Sequence, residues 1–124
     1  MATINIGNDS FGETVNKGGI TFVDFWAAWC GPCRMFAPIF EAASDQYSEI
    51  TFAKVDTEAE QELAQAAGIT SIPTLMAFKD GILVFSQPGA LPAPSFEELI
   101  QAVQGLNMED VRKQIAEEQA PAKG

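Results

Sequence analysis

The sequence lacks histidine altogether and has only two cysteines in 124 residues. Histidine is the usual general acid and base near neutral pH, so any proton transfer has to use carboxylates, lysines or the thiols themselves. A closed zinc site or an iron–sulfur cluster takes four protein ligands, commonly cysteines and histidines. Two cysteines do not supply such a site within one chain, which leaves a metal shared between two chains as the alternative.

Basic residues are also scarce, since seven lysines and arginines stand against seventeen carboxylates and the formal net charge is −10. They form no patch that would offset repulsion from phosphates, so we expect no binding to nucleic acid or to an anionic membrane. No run approaches the roughly 20 apolar residues of a membrane-spanning helix. The first residues, MATINIGNDSF, contain neither a basic leader nor an apolar stretch of signal-peptide length. We therefore expect a cytoplasmic protein, and in that compartment a close cysteine pair is catalytic or metal-binding more often than structural.

Hydrophobic periodicity predicts alternating strands and helices. Strands are expected at residues 3–6, 20–28, 50–56, 74–78 and 82–86. The second is a nearly continuous apolar run, which is typical of a central strand covered on both faces. Helices are expected at about residues 10–17, 32–47, 57–67 and 95–106. Three of them would begin with a capping box, in which a hydroxyl residue precedes glutamate by three positions: Ser10, Thr57 and Ser95.

The order β-α-β-α-β-α-β-β-α predicts an α/β fold with a mixed sheet and helices on both faces. Asp80-Gly81, between the last two strands, is a strong signal for a hairpin turn. The length and the alternation indicate one domain at residues 1–106. Residues 107–124 keep a helical spacing of apolar residues at first, so we expect a helical extension that ends in a disordered tail.

The two cysteines lie together in the sequence WCGPC, as Cys30 and Cys33. A disulfide between them closes a loop too short to remove much entropy from the unfolded chain, so a purely structural bond is a poor explanation. Thiol–disulfide exchange fits better, because Cys30 falls between a predicted strand and a helix that starts near Pro32. Free N–H groups at a helix N-terminus stabilise a thiolate. Cys33, one turn further on, could then attack a mixed disulfide formed at Cys30 and release the partner.

Two charged residues stand alone inside predicted strands. Asp24 interrupts the apolar run six residues before Cys30, and an ionised carboxylate buried there would be destabilising. Either Asp24 faces solvent, or it is buried and relays the proton of Cys33. Lys54, in the next long strand, either points to solvent or lies beside Asp24 if the two strands are neighbours. Trp29, at the end of its strand, either faces the cysteines or packs into the core.

Three segments, FWAAWCGPCRMFAPIFE, KVDTEAEQELAQAAGITSIPTLMAFKDG and PGAL, resemble the thioredoxin family over about residues 3–106. The resemblance implies the thioredoxin fold, in which helices flank both faces of a central mixed β-sheet. It implies that Cys30 is the exposed nucleophile and that Cys33 is the resolving thiol. It further implies that Asp24 is the family's buried acid and that Lys54 is the lysine beside it.

The same resemblance implies a docking surface for disulfide-bearing proteins. Ile72-Pro73 matches the family's cis-proline turn, which would bring the Ile72 backbone next to the cysteines, with its N–H and C=O free to pair with an extended client segment. Pro88 stands where the family more often has a β-branched residue, which would stiffen the docking loop. The residues implied in docking are Trp29, Gly31, Pro32, Ile72, Pro73, Gly89 and Ala90.

The function implied by the resemblance is that of a protein disulfide reductase. Oxidising members of the family usually carry histidine between the cysteines, whereas Gly31-Pro32 matches the reducing branch. The protein would need no bound cofactor, since a flavin-containing thioredoxin reductase would re-reduce its redox-active disulfide. It would act as a monomer on disulfide-containing clients. The alternatives are a thioredoxin-like protein-binding module and a dedicated reductant of one client, such as a peroxiredoxin.

Overall fold

The structure is a computed structural model and describes residues 2–119. Its strands are β1 (Ile4–Asn5), β2 (Ile20–Trp26), β3 (Thr51–Asp56), β4 (Thr74–Lys79) and β5 (Ile82–Pro88). Its helices are α1 (Phe11–Asn16), α2 (Gly31–Gln46), α3 (Gln61–Ala66), α4 (Ala93–Gln104) and α5 (Met108–Gln119). The predicted alternation of strands and helices is confirmed.

The five strands form one mixed sheet in the order β1-β3-β2-β4-β5. β2 is the central strand, parallel to β3 and antiparallel to β4. Its apolar sequence explains this position, because five consecutive residues of β2 are buried and a central strand is covered on both faces. Since β2 and β3 run in the same direction, both end at the same edge of the sheet, and α2 begins there.

Helices cover both faces of the sheet, as predicted. On the face covered by α2 and α4, Phe96 contacts four other phenylalanine rings at centroid distances of 5.2–6.3 Å. These four rings belong to Phe22, Phe36, Phe40 and Phe52. On the opposite face, Val15 of α1 and Leu63 of α3 pack with buried residues of β2, β3 and β4. The rigid layer of phenylalanines fixes α2, and therefore its N-terminus, against the sheet.

The hairpin between β4 and β5 turns at Asp80 and Gly81, as predicted. Their φ angles are 53° and 80°, and positive φ at both central residues is what a type I′ turn requires. The Asp80 N–H also donates to the Gly19 carbonyl at 2.9 Å, which ties the turn to the start of β2.

The three predicted capping boxes are wrong as helix caps. The Ser10 hydroxyl accepts a hydrogen bond from the Gly7 N–H at 3.1 Å and forms no cap on α1. The Thr57 hydroxyl donates to the Trp26 carbonyl at 3.0 Å, and α3 begins four residues later. α4 begins two residues before Ser95. All three serines and threonines have capping-box spacing, but the Ser10 and Thr57 hydroxyls bond other groups, and α4 begins before Ser95.

The helical extension after Asn107 is present as α5. The Asn107 side-chain oxygen accepts hydrogen bonds from the N–H groups of Glu109 and Asp110 at 3.0 and 3.2 Å, and so caps the helix. Arg112 pairs with Asp80 at 3.6 Å. The predicted disordered end falls outside the described residues. Between residues 2 and 119, no helix has the length and apolar character needed to cross a membrane.

Candidate active site

Cys30 caps α2 at the edge of the sheet where β2 and β3 end. Its backbone is extended, with φ −87° and ψ 113°, and its Sγ accepts a hydrogen bond from the Cys33 N–H at 3.2 Å. Gly31 and Pro32 form the first turn, where proline loses no bond because the first N–H groups have no partner within a helix. The sulfur of Cys30 therefore lies where free N–H groups and the helix dipole favour negative charge.

Cys30 and Cys33 form a disulfide, with their Cα atoms 5.2 Å apart. Both are almost fully buried, with 4% and 3% of their surfaces exposed. The expectation of an exposed Cys30 is therefore wrong in this disulfide-bonded state, because Trp26, Ala27 and Ile72 pack around the pair. The two cysteines still differ in what they face, since Cys30 lines a surface cleft and Cys33 does not.

The cleft beside Cys30 has a volume of about 520 Å³. It is lined by Trp29, Cys30, Gly31, Pro32, Thr57, Ala64 and residues 69–72. The Ile72-Pro73 bond is cis, which confirms the expectation from the resemblance. The Ile72 carbonyl oxygen lies 3.7 Å from the Cys30 Sγ, so a segment that paired with this backbone would lie against the sulfur.

Gly89 and Ala90 lie next to the cis-proline turn and do not line the cleft. The Gly89 N–H donates to the Pro73 carbonyl at 2.7 Å, which holds the loop after β5 against the start of β4. Gly89 has a φ of 106°, a backbone conformation that residues with a Cβ rarely adopt. Both residues are exposed, so they extend the surface beyond the cleft rather than form its wall.

Asp24 is buried in β2, with 1% of its surface exposed, and Lys54 of β3 is its register partner. The alternative in which Asp24 faces solvent is therefore wrong. Because side chains alternate along a strand, Asp24 lies on the same face as Phe22, which is the face that α2 covers. Burial raises the pKa of Asp24 from 3.8 to about 7, although the charge of Lys54 lowers it. Among residues 2–119, no group hydrogen-bonds either carboxylate oxygen of Asp24.

Lys54 is half-buried and packs against an aromatic ring. Its Nζ lies 4.8 Å from the centroid of the Trp26 ring, which is a cation–π contact. The strand register places Lys54 beside Asp24, two residues before the end of β3. The expectation that the two charged outliers are neighbours is confirmed.

Trp29 is 66% exposed and lines the cleft, so it faces the site and is not a core residue. Its indole Nε1–H donates to the Glu58 carboxylate. Sequence reasoning missed Glu58, and it also missed Thr57 and Ala64 in the cleft lining. Glu58 is one of several acidic residues around the turn after β3, and Ala64 has the spacing of an ordinary core residue of a helix, so the sequence marks neither of them as part of the site. Thr57 was assigned to a capping box instead.

A model of the family described as Thioredoxin matches residues 2–105. The chain belongs to the thioredoxin family. A Streptomyces coelicolor protein named "Putative thioredoxin 2" is 46% identical over 121 residues, which cover 98% of this chain and 90% of that protein. The Bacillus subtilis protein named Thioredoxin is 37% identical over 101 residues, covering 81% of this chain and 96% of its own length. A structure of Plasmodium falciparum thioredoxin matches with a TM-score of 0.74 at 33% identity, and the match covers 81% of this chain and 97% of that one.

As a member of the thioredoxin family, the protein is a thiol–disulfide oxidoreductase with a thioredoxin fold. Its redox-active pair is Cys30 and Cys33, which have the spacing of a redox-active dithiol and are joined in a disulfide. Thioredoxins act as protein-disulfide oxidoreductases and typically work with a thioredoxin reductase and with disulfide-bearing clients. In residues 2–119, no group of three or more cysteine, aspartate or glutamate side chains is placed to hold a metal ion.

Proposed function

We propose that this thioredoxin-family protein is a reductase that passes two electrons from the Cys30–Cys33 dithiol to a disulfide in a client protein. The observation that supports this most strongly is the position of Cys30. Its Sγ caps α2, accepts the Cys33 N–H and lies beside the Ile72 carbonyl at the cleft. A thiolate is stabilised at such a helix N-terminus, and a client segment in the cleft would reach it.

In the proposed cycle, the Cys30 thiolate attacks one sulfur of the client disulfide. A mixed disulfide forms, and the other client sulfur leaves as a thiolate and takes up a proton. Cys33 then loses its proton and attacks the Cys30 sulfur, so that the bond between Cys30 and the client breaks. The client departs with both sulfurs reduced, and the protein is left with the Cys30–Cys33 disulfide.

We assign the proton of Cys33 to Asp24, with Lys54 in support. A pKa near 7 suits a group that accepts a proton at neutral pH and passes it on. Asp24 lies on the sheet face beneath α2, which also carries Cys33. The positive charge of Lys54, one strand away, favours the ionised carboxylate that is needed before each transfer.

We propose that a client binds as an extended segment along the Ile72 backbone, in the manner of an added strand. Within residues 2–119 the Ile72 N–H makes no hydrogen bond, and the carbonyl lies at the cleft beside Cys30. The remaining contacts are assigned to the residues that line or adjoin the cleft, namely Trp29, Gly31, Pro32, Pro73, Gly89 and Ala90.

After each cycle the Cys30–Cys33 disulfide has to be reduced again. A flavin-containing thioredoxin reductase would restore the dithiol, so that no cofactor is held by the chain. The protein would act as a cytoplasmic monomer. Residues 1–106 would form the redox domain, and residues 107–124 would be an extension outside it.

The test is reduction of insulin disulfides with dithiothreitol as the electron source. Cys30→Ser should lose the acceleration given by the wild type, because no nucleophile remains at the cleft. Cys33→Ser should keep the attack and lose the release, so mixed disulfides with clients should accumulate on a non-reducing gel. Full activity of Cys30→Ser would show that the proposed chemistry is wrong, and binding by a double cysteine variant would favour a binding module instead.

A further inference from the structure

The indole of Trp29 is held by a carboxylate that comes from a different loop. Trp29 follows β2, whereas Glu58 follows β3, and the Trp29 Nε1–H donates to the Glu58 carboxylate. A tryptophan that is 66% exposed would otherwise sample several rotamers in solvent. The bond selects one of them, and in that rotamer the ring forms part of the cleft wall beside Cys30.

The backbone of the turn that carries Glu58 is held by hydrogen bonds to neighbouring residues. The Glu58 N–H donates to the Asp56 carboxylate at 2.9 Å, which holds the backbone of the turn. The adjacent Thr57 is tied to the Trp26 carbonyl twice, through its N–H at 2.9 Å and its hydroxyl at 3.0 Å. Because the loop that carries Trp29 also starts at Trp26, both partners of the Trp29–Glu58 bond are anchored to the same point of the backbone.

We propose that Glu58 is a positioning residue for client docking, which sets the Trp29 indole as a preformed wall of the cleft. The inference rests on the proposed reductase function. A client that met a mobile indole would have to immobilise it on binding, and that ordering weakens association. Because the indole is already fixed in the folded protein, its conformational entropy is lost during folding and not when the client binds. Glu58 touches neither sulfur, so its effect belongs to binding and not to the exchange steps.

The experiment measures single-turnover reduction of a disulfide-containing peptide by pre-reduced protein over a range of peptide concentrations. Glu58→Ala should raise the half-saturating concentration by about two- to tenfold, the range expected for one extra immobilised side chain. The limiting rate should not change, because Cys30 and Cys33 are intact. Glu58→Gln should restore wild-type saturation, since its amide oxygen still accepts the indole N–H.

Glu62→Ala is the matched control, because it removes the same charge from an exposed residue of α3, a short distance further along the chain. It should leave saturation unchanged. Trp29→Phe has no N–H to donate, so adding Glu58→Ala to Trp29→Phe should produce no further change. The Trp29 indole N–H should also exchange faster with solvent in Glu58→Ala than in wild type, as followed by NMR.

Three results would overturn the inference. They are equal effects of Glu58→Ala and Glu62→Ala, full additivity of Glu58→Ala with Trp29→Phe, and a lowered limiting rate without a change in half-saturation. None of these is the result that would overturn the reductase function. That function fails only if wild-type protein does not reduce the peptide, or if Cys30→Ser reduces it equally well.

Discussion

Asp24 is the residue whose chemistry depends most on its surroundings. It lies almost completely buried in the central strand, and its carboxylate oxygens have no hydrogen-bond partner among the described residues. Burial raises its pKa to about 7, although the charge of Lys54 lowers it. An acid in such a place is destabilising when ionised, because burial removes the water that would solvate the charge. Under the proposed mechanism this is the carboxylate that would take the proton of Cys33.

We predict that Asp24 makes the disulfide-bonded protein less stable as the pH rises. The folded-state pKa lies above the unfolded value of 3.8, so the folded state binds the proton more tightly and loses stability between about pH 4 and 7. The difference from 3.8 to about 7 corresponds to a loss on the order of 4 kcal/mol by the upper end of that window. Asp24→Asn lacks this titration, so its stability relative to wild type should grow with pH.

Urea unfolding of the oxidised protein at about pH 5 and about pH 8 measures this difference. Asp9→Asn is the control, because Asp9 is an exposed carboxylate and its substitution should give nearly the same difference at both pH values. A free-energy difference between Asp24→Asn and wild type that stays constant with pH would contradict the prediction.

Some residues of the candidate site could be predicted from the sequence, and others could not. Asp24 and Lys54 were detectable because each is a charge in an apolar run, and such a charge needs an explanation. Glu58 was not detectable, because its role depends on where the Trp29 ring lies. That contact joins two loops 29 residues apart, and no local spacing encodes it.

Among the elements, β2 was the easiest to predict and the helix starts were the hardest. A continuous apolar run needs cover on both faces, which allows few positions other than the centre of a sheet. A capping box is worth only about 1 kcal/mol, so a competing partner for the hydroxyl decides the outcome. For Thr57 that partner is the Trp26 carbonyl, which lies on a different strand.

The C-terminal end of α4 is fastened to the sheet by one side chain. The Lys79 Nζ, at the end of β4, donates to the carbonyls of Val103, Gln104 and Leu106 at 2.9, 2.9 and 3.0 Å. The last carbonyls of a helix have no partner within it, and a cation there also complements the helix dipole. A single lysine therefore binds three carbonyls at this helix end, of which that of Val103 also accepts the Leu106 N–H at 3.2 Å.

We predict that Lys79→Met destabilises the protein by about 1–3 kcal/mol, because it keeps the length of the side chain and removes the charged donor. Lys113→Met is the control, since Lys113 is exposed and lies in the middle of α5, away from the helix ends. Urea unfolding at neutral pH compares the two variants with wild type. Equal losses of stability in the two variants would mean that removal of any positive charge lowers the free energy of unfolding, and that the bonds from Lys79 to α4 are not responsible.

Across the whole molecule, the redox site and α5 lie at opposite ends of the sheet. Cys30 follows the end of β2, whereas Arg112 of α5 pairs with Asp80 at the β4–β5 turn. The antiparallel register pairs Lys79 with Ile20, so this turn lies beside the start of β2. The seven residues of β2 separate the two ends by roughly 20 Å. Any effect of α5 on the exchange chemistry would have to act over this distance.

We therefore predict that a chain ending at Asn107 folds and reduces insulin disulfides at the wild-type rate. Loss of the buried Met108 side chain and of the Arg112–Asp80 pair should lower the free energy of unfolding by about 1–3 kcal/mol. Lys79 keeps all its carbonyl partners in this shortened chain, so α4 stays attached to the sheet. Urea unfolding and the insulin assay on the same preparation measure the two effects separately. A fall in activity at full saturation with a stable fold would place α5 within the functional unit and move the domain boundary beyond residue 106.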